Sequence, residues 1–144
     1  MPVHLIKLCV GADSVQDLAA WQADRIAERR AAGLDPAQFH VTRMWPKRGD
    51  ELTAGGSLYW VIRGLVLARQ RILGLEPRRG DDGIERCALR LDPEIVRTRP
   101  QPRRPFQGWR YLRPEDAPAD LAAGAATQAL PAELVAGLAE IGVL

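Results

Sequence analysis

Two stretches of the chain place arginine or lysine next to aromatic side chains, a combination that can bind nucleotides. The first contains Arg43, Trp45, Lys47 and Arg48, and the second contains Arg103, Arg104, Phe106, Trp109, Arg110 and Tyr111. A guanidinium group can donate two parallel hydrogen bonds to a phosphate, and an aromatic face can stack on a base. The interleaved pattern therefore predicts a surface for single-stranded or extruded nucleotides.

The predicted partner of this surface is RNA or a modified nucleotide. The predicted site consists of Arg43, Trp45, Lys47, Arg48, Tyr59, Arg104, Trp109 and Arg110. Tryptophans also fill protein cores while arginines solvate the rim, and this alternative is the better interpretation of Trp60. For Trp45 and Trp109, which lie beside a proline and a glycine, both interpretations stay open.

Few residues could support catalysis. The sequence has no GxSxG, HExxH, P-loop or dinucleotide-binding motif, and its only histidines are His4 and His40. A Cys9–His40 pair on neighbouring strands would form an activated thiolate, although a buried cysteine and a hydrogen-bonded histidine are the more common outcome. Asp50 and Glu51 could act as a base or simply begin a helix. A hydrolase or transferase acting on a phosphorylated or nucleotide substrate is therefore the alternative to a binding protein, and no metal or cofactor is predicted.

Length and composition predict one domain. The 144 residues are 47% hydrophobic, which is enough for a single core. The net charge of +2 conceals a contrast, because residues 43–113 carry 16 basic and 8 acidic side chains, whereas residues 114–144 carry 5 acidic and no basic ones. A basic central block attracts phosphate-rich partners, although it can also be a solvated face. With no long apolar run and only two distant cysteines, we expect a soluble, cytoplasmic protein with reduced thiols and no membrane contact.

Apolar spacing predicts the elements that position the first cluster. Residues 3–10 alternate as a strand, Ser14 can cap a helix over residues 15–32, and residues 39–44 and 57–63 are further strands. The helix is expected to bury Val15, Leu18, Ala19, Ala23 and Ile26.

Residues 65–75 fit either a buried helix or a strand. We predict a strand, because the turn-forming residues 76–83 would join it in a hairpin to the alternating residues 84–91. Arg69 and Arg71 would then share one face of this strand. They are expected to pair with Glu76, Glu85 or Asp92.

The remainder of the chain is predicted to contain a proline-rich segment, a short strand and a C-terminal helix. Residues 97–105 are too rich in proline for a central strand, which leaves a loop or a sheet edge, and residues 106–112 regain strand character. An amphipathic helix is predicted over residues 131–141. We therefore divide the chain into an α+β core at 1–113 and a C-terminal helical extension at 114–144 that packs on the core or on a partner. A protein-interaction module that docks through this helix is a third functional alternative.

Four stretches together resemble an uncharacterised bacterial family, domain of unknown function number 1489. They are HLIKLCVG (4–11), VTRMWPKR (41–48), GGSLYWVIRG (55–64) continued by ARQRILGLE (68–76), and RRPFQGWRYL (103–112). Membership of this family implies no established activity.

The order of elements is also similar to that of the PUA-like superfamily, which includes the ASCH, EVE and YTH domains. This resemblance implies a pseudo-barrel that binds RNA or a modified base, with Trp45, Arg48, Tyr59 and Trp109 at the pocket. We predict an α+β fold: a curved, mixed, mostly antiparallel sheet or PUA-like pseudo-barrel of five to seven strands. One N-terminal helix and one or two C-terminal helices complete it.

Overall fold

The computed structural model describes residues 3–121, which form one curved sheet with two α-helices. The strands are β1 (His4–Leu8), β2 (Gln38–Thr42), β3 (Ser57–Ile62), β4 (Leu65–Arg79), β5 (Glu85–Leu91), β6 (Val96–Pro102) and β7 (Trp109–Leu112). Helix α1 (Val15–Ala31) follows β1, and the short helix α2 (Gly49–Thr53) precedes β3. The predicted α+β fold with a mixed, mostly antiparallel sheet is confirmed. The helix predicted at 131–141 lies outside the described residues.

Strand β4 organises the sheet. It pairs antiparallel with β3 along one edge, and with β6 and then β5 along the other. The main order is β2-β5-β4-β3-β1-β7, in which β1 and β3 are parallel. The ambiguous residues 65–75 are therefore a strand, as predicted. The proline-rich residues 97–102 lie in β6, which pairs with β4 on one side, as the prediction of a sheet edge allows.

A two-residue turn, Arg63-Gly64, joins β3 to β4. Both residues have positive φ, 52° at Arg63 and 81° at Gly64. This left-handed pair is the type I′ geometry, whose twist matches that of the strands it connects. The turn sets the register of the hairpin, with Ile62 opposite Leu65.

The two faces of the sheet carry separate apolar clusters. Trp60 belongs to the larger cluster, together with residues of α1 and α2, and is 4% exposed. Tyr59, its neighbour on β3, points to the other face and packs in a smaller cluster with Ile6 and Leu112. Tyr59 and Trp60, as neighbours on a strand, thus lie on opposite faces, and the interpretation of Trp60 as a core residue is confirmed.

Helix α1 is attached to the sheet by a buried amide network. The side chains of Gln22 and Gln70 exchange two hydrogen bonds of 2.8 and 2.7 Å, and the Trp60 indole N–H donates to the Gln70 carbonyl oxygen at 2.9 Å. Ser14 caps the helix by accepting from the backbone N–H of Asp17. Buried polar groups need such partners, so this network fixes where α1 lies on the sheet.

The face that α1 buries is narrower than expected. Its buried residues are Val15, Leu18 and Gln22. The predicted burial of Ala19 and Ala23 is wrong, because the buried face is centred between Leu18 and Gln22 and both alanines lie to one side of it on a 3.6-residue helix. Ile26 is only partly buried.

The residues that follow β7 pack against β6. Asp120 forms an isolated bridge with Thr98, and the backbone N–H of Arg99 donates to the Ala119 carbonyl at 2.8 Å. Arg69 donates to both carboxylate oxygens of Asp120 at 2.7 Å. The expected pairing of Arg69 with Glu76, Glu85 or Asp92 is therefore wrong, because the chain after β7 brings a closer carboxylate to that face. Within residues 3–121, no helix has the length and apolar character needed to cross a membrane.

Candidate functional site

The turn of residues 43–48, which we name the Trp45 turn, connects β2 to α2 and contacts β7 at the opposite end of the sheet order. The Trp109 indole N–H donates to the Met44 carbonyl at 3.1 Å, and the Arg48 backbone N–H donates to the Tyr111 hydroxyl at 3.1 Å. Trp109 and Tyr111 in turn meet edge to face, with ring centroids 4.9 Å apart. The turn is thus held at both ends by side chains of a regular strand.

The Trp45 turn forms one wall of an open groove of about 600 Å³, which we name the Trp45 groove. Its lining residues are Trp45, Pro46, Lys47, Arg48, Gly49, Asp50, Glu51, Thr53 and Leu75. Pro46 is buried, whereas the Trp45 side chain is 44% exposed. An indole exposed beside a groove and carried on an anchored turn can stack on a planar ligand with little ordering cost.

The charges in the Trp45 groove nearly cancel. Arg48 binds Glu51 through two hydrogen bonds, Nε to Oε2 at 2.5 Å and an Nη to Oε1 at 2.7 Å. This pairing lowers the pKa of Glu51. Lys47 and Arg48 thus line the groove together with Asp50 and Glu51, and Arg48 is already paired with Glu51. From the sequence, Glu51 was expected to act as a base or to begin a helix, and its spacing of three from Arg48 was the signal for this ion pair.

The predicted site residues divide between two faces of the sheet. Trp45, Lys47 and Arg48 come together in the Trp45 groove. Trp109 lies beneath the turn and is 8% exposed, so it supports the turn from the core. Tyr59 is 5% exposed and packs edge to face on His4, with ring centroids 5.0 Å apart.

The arginines of the second predicted cluster do not join the Trp45 groove. Arg110 alternates with Trp109 and Tyr111 on β7, so it points to the opposite face, where its guanidinium lies 5.7 Å from the Phe106 ring centroid. Arg104 is exposed in the connection between β6 and β7, and Arg43 is exposed at the start of the turn.

The proposed Cys9–His40 pair does not have the features of an activated thiolate. The strand that precedes Cys9, β1, and the strand that carries His40, β2, are separated by three strands in the sheet order. Burial raises the pKa of the Cys9 thiol to about 11 and lowers the pKa of His40 to about 4. A thiol with a raised pKa and an imidazole with a lowered pKa are the reverse of what nucleophilic activation requires.

Comparison with known protein families agrees with the motifs quoted from the sequence. A family model described as "Protein of unknown function (DUF1489)" matches residues 5–144. The chain belongs to this family. The match to the DUF1489 model extends beyond the four stretches quoted from the sequence, because it includes the C-terminal residues. No curated protein and no solved structure matches the chain, so the likeness to PUA-like domains stays a prediction.

Proposed function

We propose that this DUF1489 protein binds single-stranded RNA, with one base stacked on Trp45. The observation that carries the proposal is the anchored, half-exposed indole of Trp45 beside Lys47 in an open groove. Stacking of a base on an aromatic side chain contributes about 1–3 kcal/mol and tolerates any base. Lys47 lines the same groove and forms no ion pair within residues 3–121, so its ammonium group can contact the adjacent phosphate.

The geometry supports binding better than hydrolysis or group transfer. A general base is most effective when its pKa lies near the working pH. Glu51 is the acid next to Arg48, but both of its oxygens accept from Arg48 and its pKa is lowered. A carboxylate whose pKa is lowered in this way is a weak base, so the groove favours ligand binding over catalysis.

The experiment is a titration of the full chain with fluorescently labelled, mixed-sequence RNA of about ten nucleotides, a length within the site sizes of single-strand-binding domains. The readout is fluorescence anisotropy at several salt concentrations. We expect affinity that falls linearly on a logarithmic salt scale, because phosphate contacts release counterions. Trp45→Ala should weaken binding roughly 5- to 150-fold, the equivalent of one lost stacked base.

Met44→Ala is the matched control for Trp45→Ala. Met44 is 64% exposed and adjacent to Trp45, but it does not line the groove. Truncating it should leave both RNA affinity and the thermal transition unchanged. Absence of RNA binding by the wild-type chain, or equal affinity of Trp45→Ala and wild type, would refute the proposal.

A further inference from the structure

A second groove lies between helix α1 and strand β2, and it combines arginines with aromatic rings more densely than the Trp45 groove. It has a volume of about 500 Å³ and is lined by Trp21, Arg25, Glu28, Arg29, Ala37, Gln38, Phe39, His40, Val41 and Arg78. We name it the α1–β2 groove. Its members come from three separate stretches of the chain, so no single stretch of sequence displays the pattern.

Guanidinium groups converge on the aromatic rings of this groove. Arg78, Arg29 and Arg90 lie 4.7, 5.2 and 5.7 Å from the ring centroid of Phe39. Arg25 lies 4.0 Å from the ring centroid of Trp21, whose side chain is 46% exposed. Each contact resembles a cation–π interaction, which orients the guanidinium plane but leaves most of its N–H donors unused.

The cations of the α1–β2 groove are only partly compensated. Arg90 pairs with Asp35, and Arg29 donates to the Asp35 backbone carbonyl. Across residues 3–121, neither Arg25 nor Arg78 forms an ion pair, and the lining carries three arginines against the single acid Glu28. Three guanidinium groups that line one groove need solvent or an anionic ligand to compensate their charge.

His40, which is half-buried, lines the same groove close to its positive charges. Its pKa is lowered to about 4, first by burial and then by the nearby charges of Lys7 and Arg25. His40 therefore stays neutral at pH 7, and its buried Nε2 atom has no hydrogen-bond partner among the described residues.

We propose that the α1–β2 groove binds the phosphates of the RNA strand whose base stacks on Trp45. This inference rests on the proposed function, because it extends the same bound strand into a second groove. The two grooves lie on consecutive segments of chain: β2 lines the α1–β2 groove and leads directly into the Trp45 turn. Phe39 and Trp45 are six positions apart in the chain, which limits the distance between their Cα atoms to about 20 Å. A strand with bases stacked about 3.4 Å apart covers that distance in roughly six nucleotides.

The test compares two double variants by the salt dependence of their binding to RNA of about ten nucleotides. Arg25→Ala with Arg78→Ala removes two groove cations, one on α1 and one on β4. Arg30→Ala with Arg79→Ala is the matched control, because it removes the same charge from the same two elements at exposed positions outside the groove. Each lost phosphate contact to a single strand lowers the salt slope by about 0.7, so the groove variant should lose about 1.4 and the control almost nothing.

The outcomes separate this inference from the proposed function. Equal slopes for the two double variants would overturn the α1–β2 groove as a phosphate site. If Trp45→Ala still weakens binding in that case, the proposed function survives alone. If neither Trp45→Ala nor the groove variant differs from wild type, both proposals fail. A thermal transition at the wild-type temperature is expected of each variant, because Arg25, Arg30 and Arg79 are exposed and Arg78 is half-buried against the Phe39 ring.

Discussion

The Trp45 groove and the α1–β2 groove contain similar residue types but differ in how their charges are balanced. In the Trp45 groove, two cations and two acids come from one short stretch, and Arg48 and Glu51 neutralise each other. In the α1–β2 groove, three arginines from α1 and β4 meet one acid. A cluster that is visible in the sequence thus brings its own counter-charges, whereas the fold assembles the uncompensated cluster from distant segments. We therefore propose that the first groove stacks a base and that the second holds phosphates.

The largest expected effect is a difference in stability between variants of Trp109 and Trp45, two tryptophans that lie in similar basic-aromatic stretches of the sequence. Trp109→Ala should lower the free energy of unfolding by about 3–5 kcal/mol, because the side chain is buried and its indole N–H supports the Trp45 turn. Trp45→Ala should change it by less than about 0.5 kcal/mol, since the ring is exposed. Chemical denaturation of both variants gives the two values. Similar losses of stability would mean that Trp45 belongs to the core.

The next effect is a pH dependence carried by His40 beside the α1–β2 groove. Its pKa of about 4 in the folded chain lies below the value of 6.5 for an unperturbed histidine. The unfolded chain therefore takes up the proton first, and stability is lost as the pH falls from 6.5 to 4. The loss should reach about 3 kcal/mol, at about 1.4 kcal/mol per pKa unit.

The check on His40 is denaturation at a series of pH values, for wild type and for His40→Gln. Carboxylates also titrate in this range, so the informative quantity is the difference in pH slope between the two proteins. The variant should lose stability less steeply between pH 6.5 and 4. Parallel curves for the two proteins would contradict a His40 that stays neutral in the folded chain.

The smallest effect concerns the charge balance of the Trp45 groove. Glu51→Gln should release Arg48 for a phosphate, raise RNA affinity and increase the salt slope by about 0.7. Asp50→Asn makes the same charge change on the same helix without touching Arg48, and it should have a smaller effect on the slope. The anisotropy titration measures both variants. Weaker binding by Glu51→Gln would show that Glu51 positions Arg48 for the ligand.

The sequence predicted the sheet better than the site, for physical reasons. Alternation with period two, turn-forming residues and prolines are local signals, and they were sufficient for the strand at 65–75, the edge character of β6 and the core position of Trp60. The prediction failed where a contact joins distant segments.

The failures concern pairs that no local pattern encodes. Asp120 binds Arg69 from 51 residues away, and Gln22 of α1 is buried because it meets Gln70, 48 residues later. Arg78 reaches the Phe39 ring across the curved sheet. The α1–β2 groove is formed only by such contacts between distant segments. For this reason the sequence did not predict it, although it is the more basic of the two grooves.

The most direct measurement of the central claim is the salt dependence of RNA binding by wild type, Trp45→Ala and the Arg25→Ala, Arg78→Ala double variant. Stacking involves no counterion release, so Trp45→Ala should lower affinity by the same factor at every salt concentration and keep the wild-type slope. The double variant should instead flatten the slope by about 1.4. Three lines that coincide would contradict the account, because neither the exposed indole nor the arginine groove would then take part in binding.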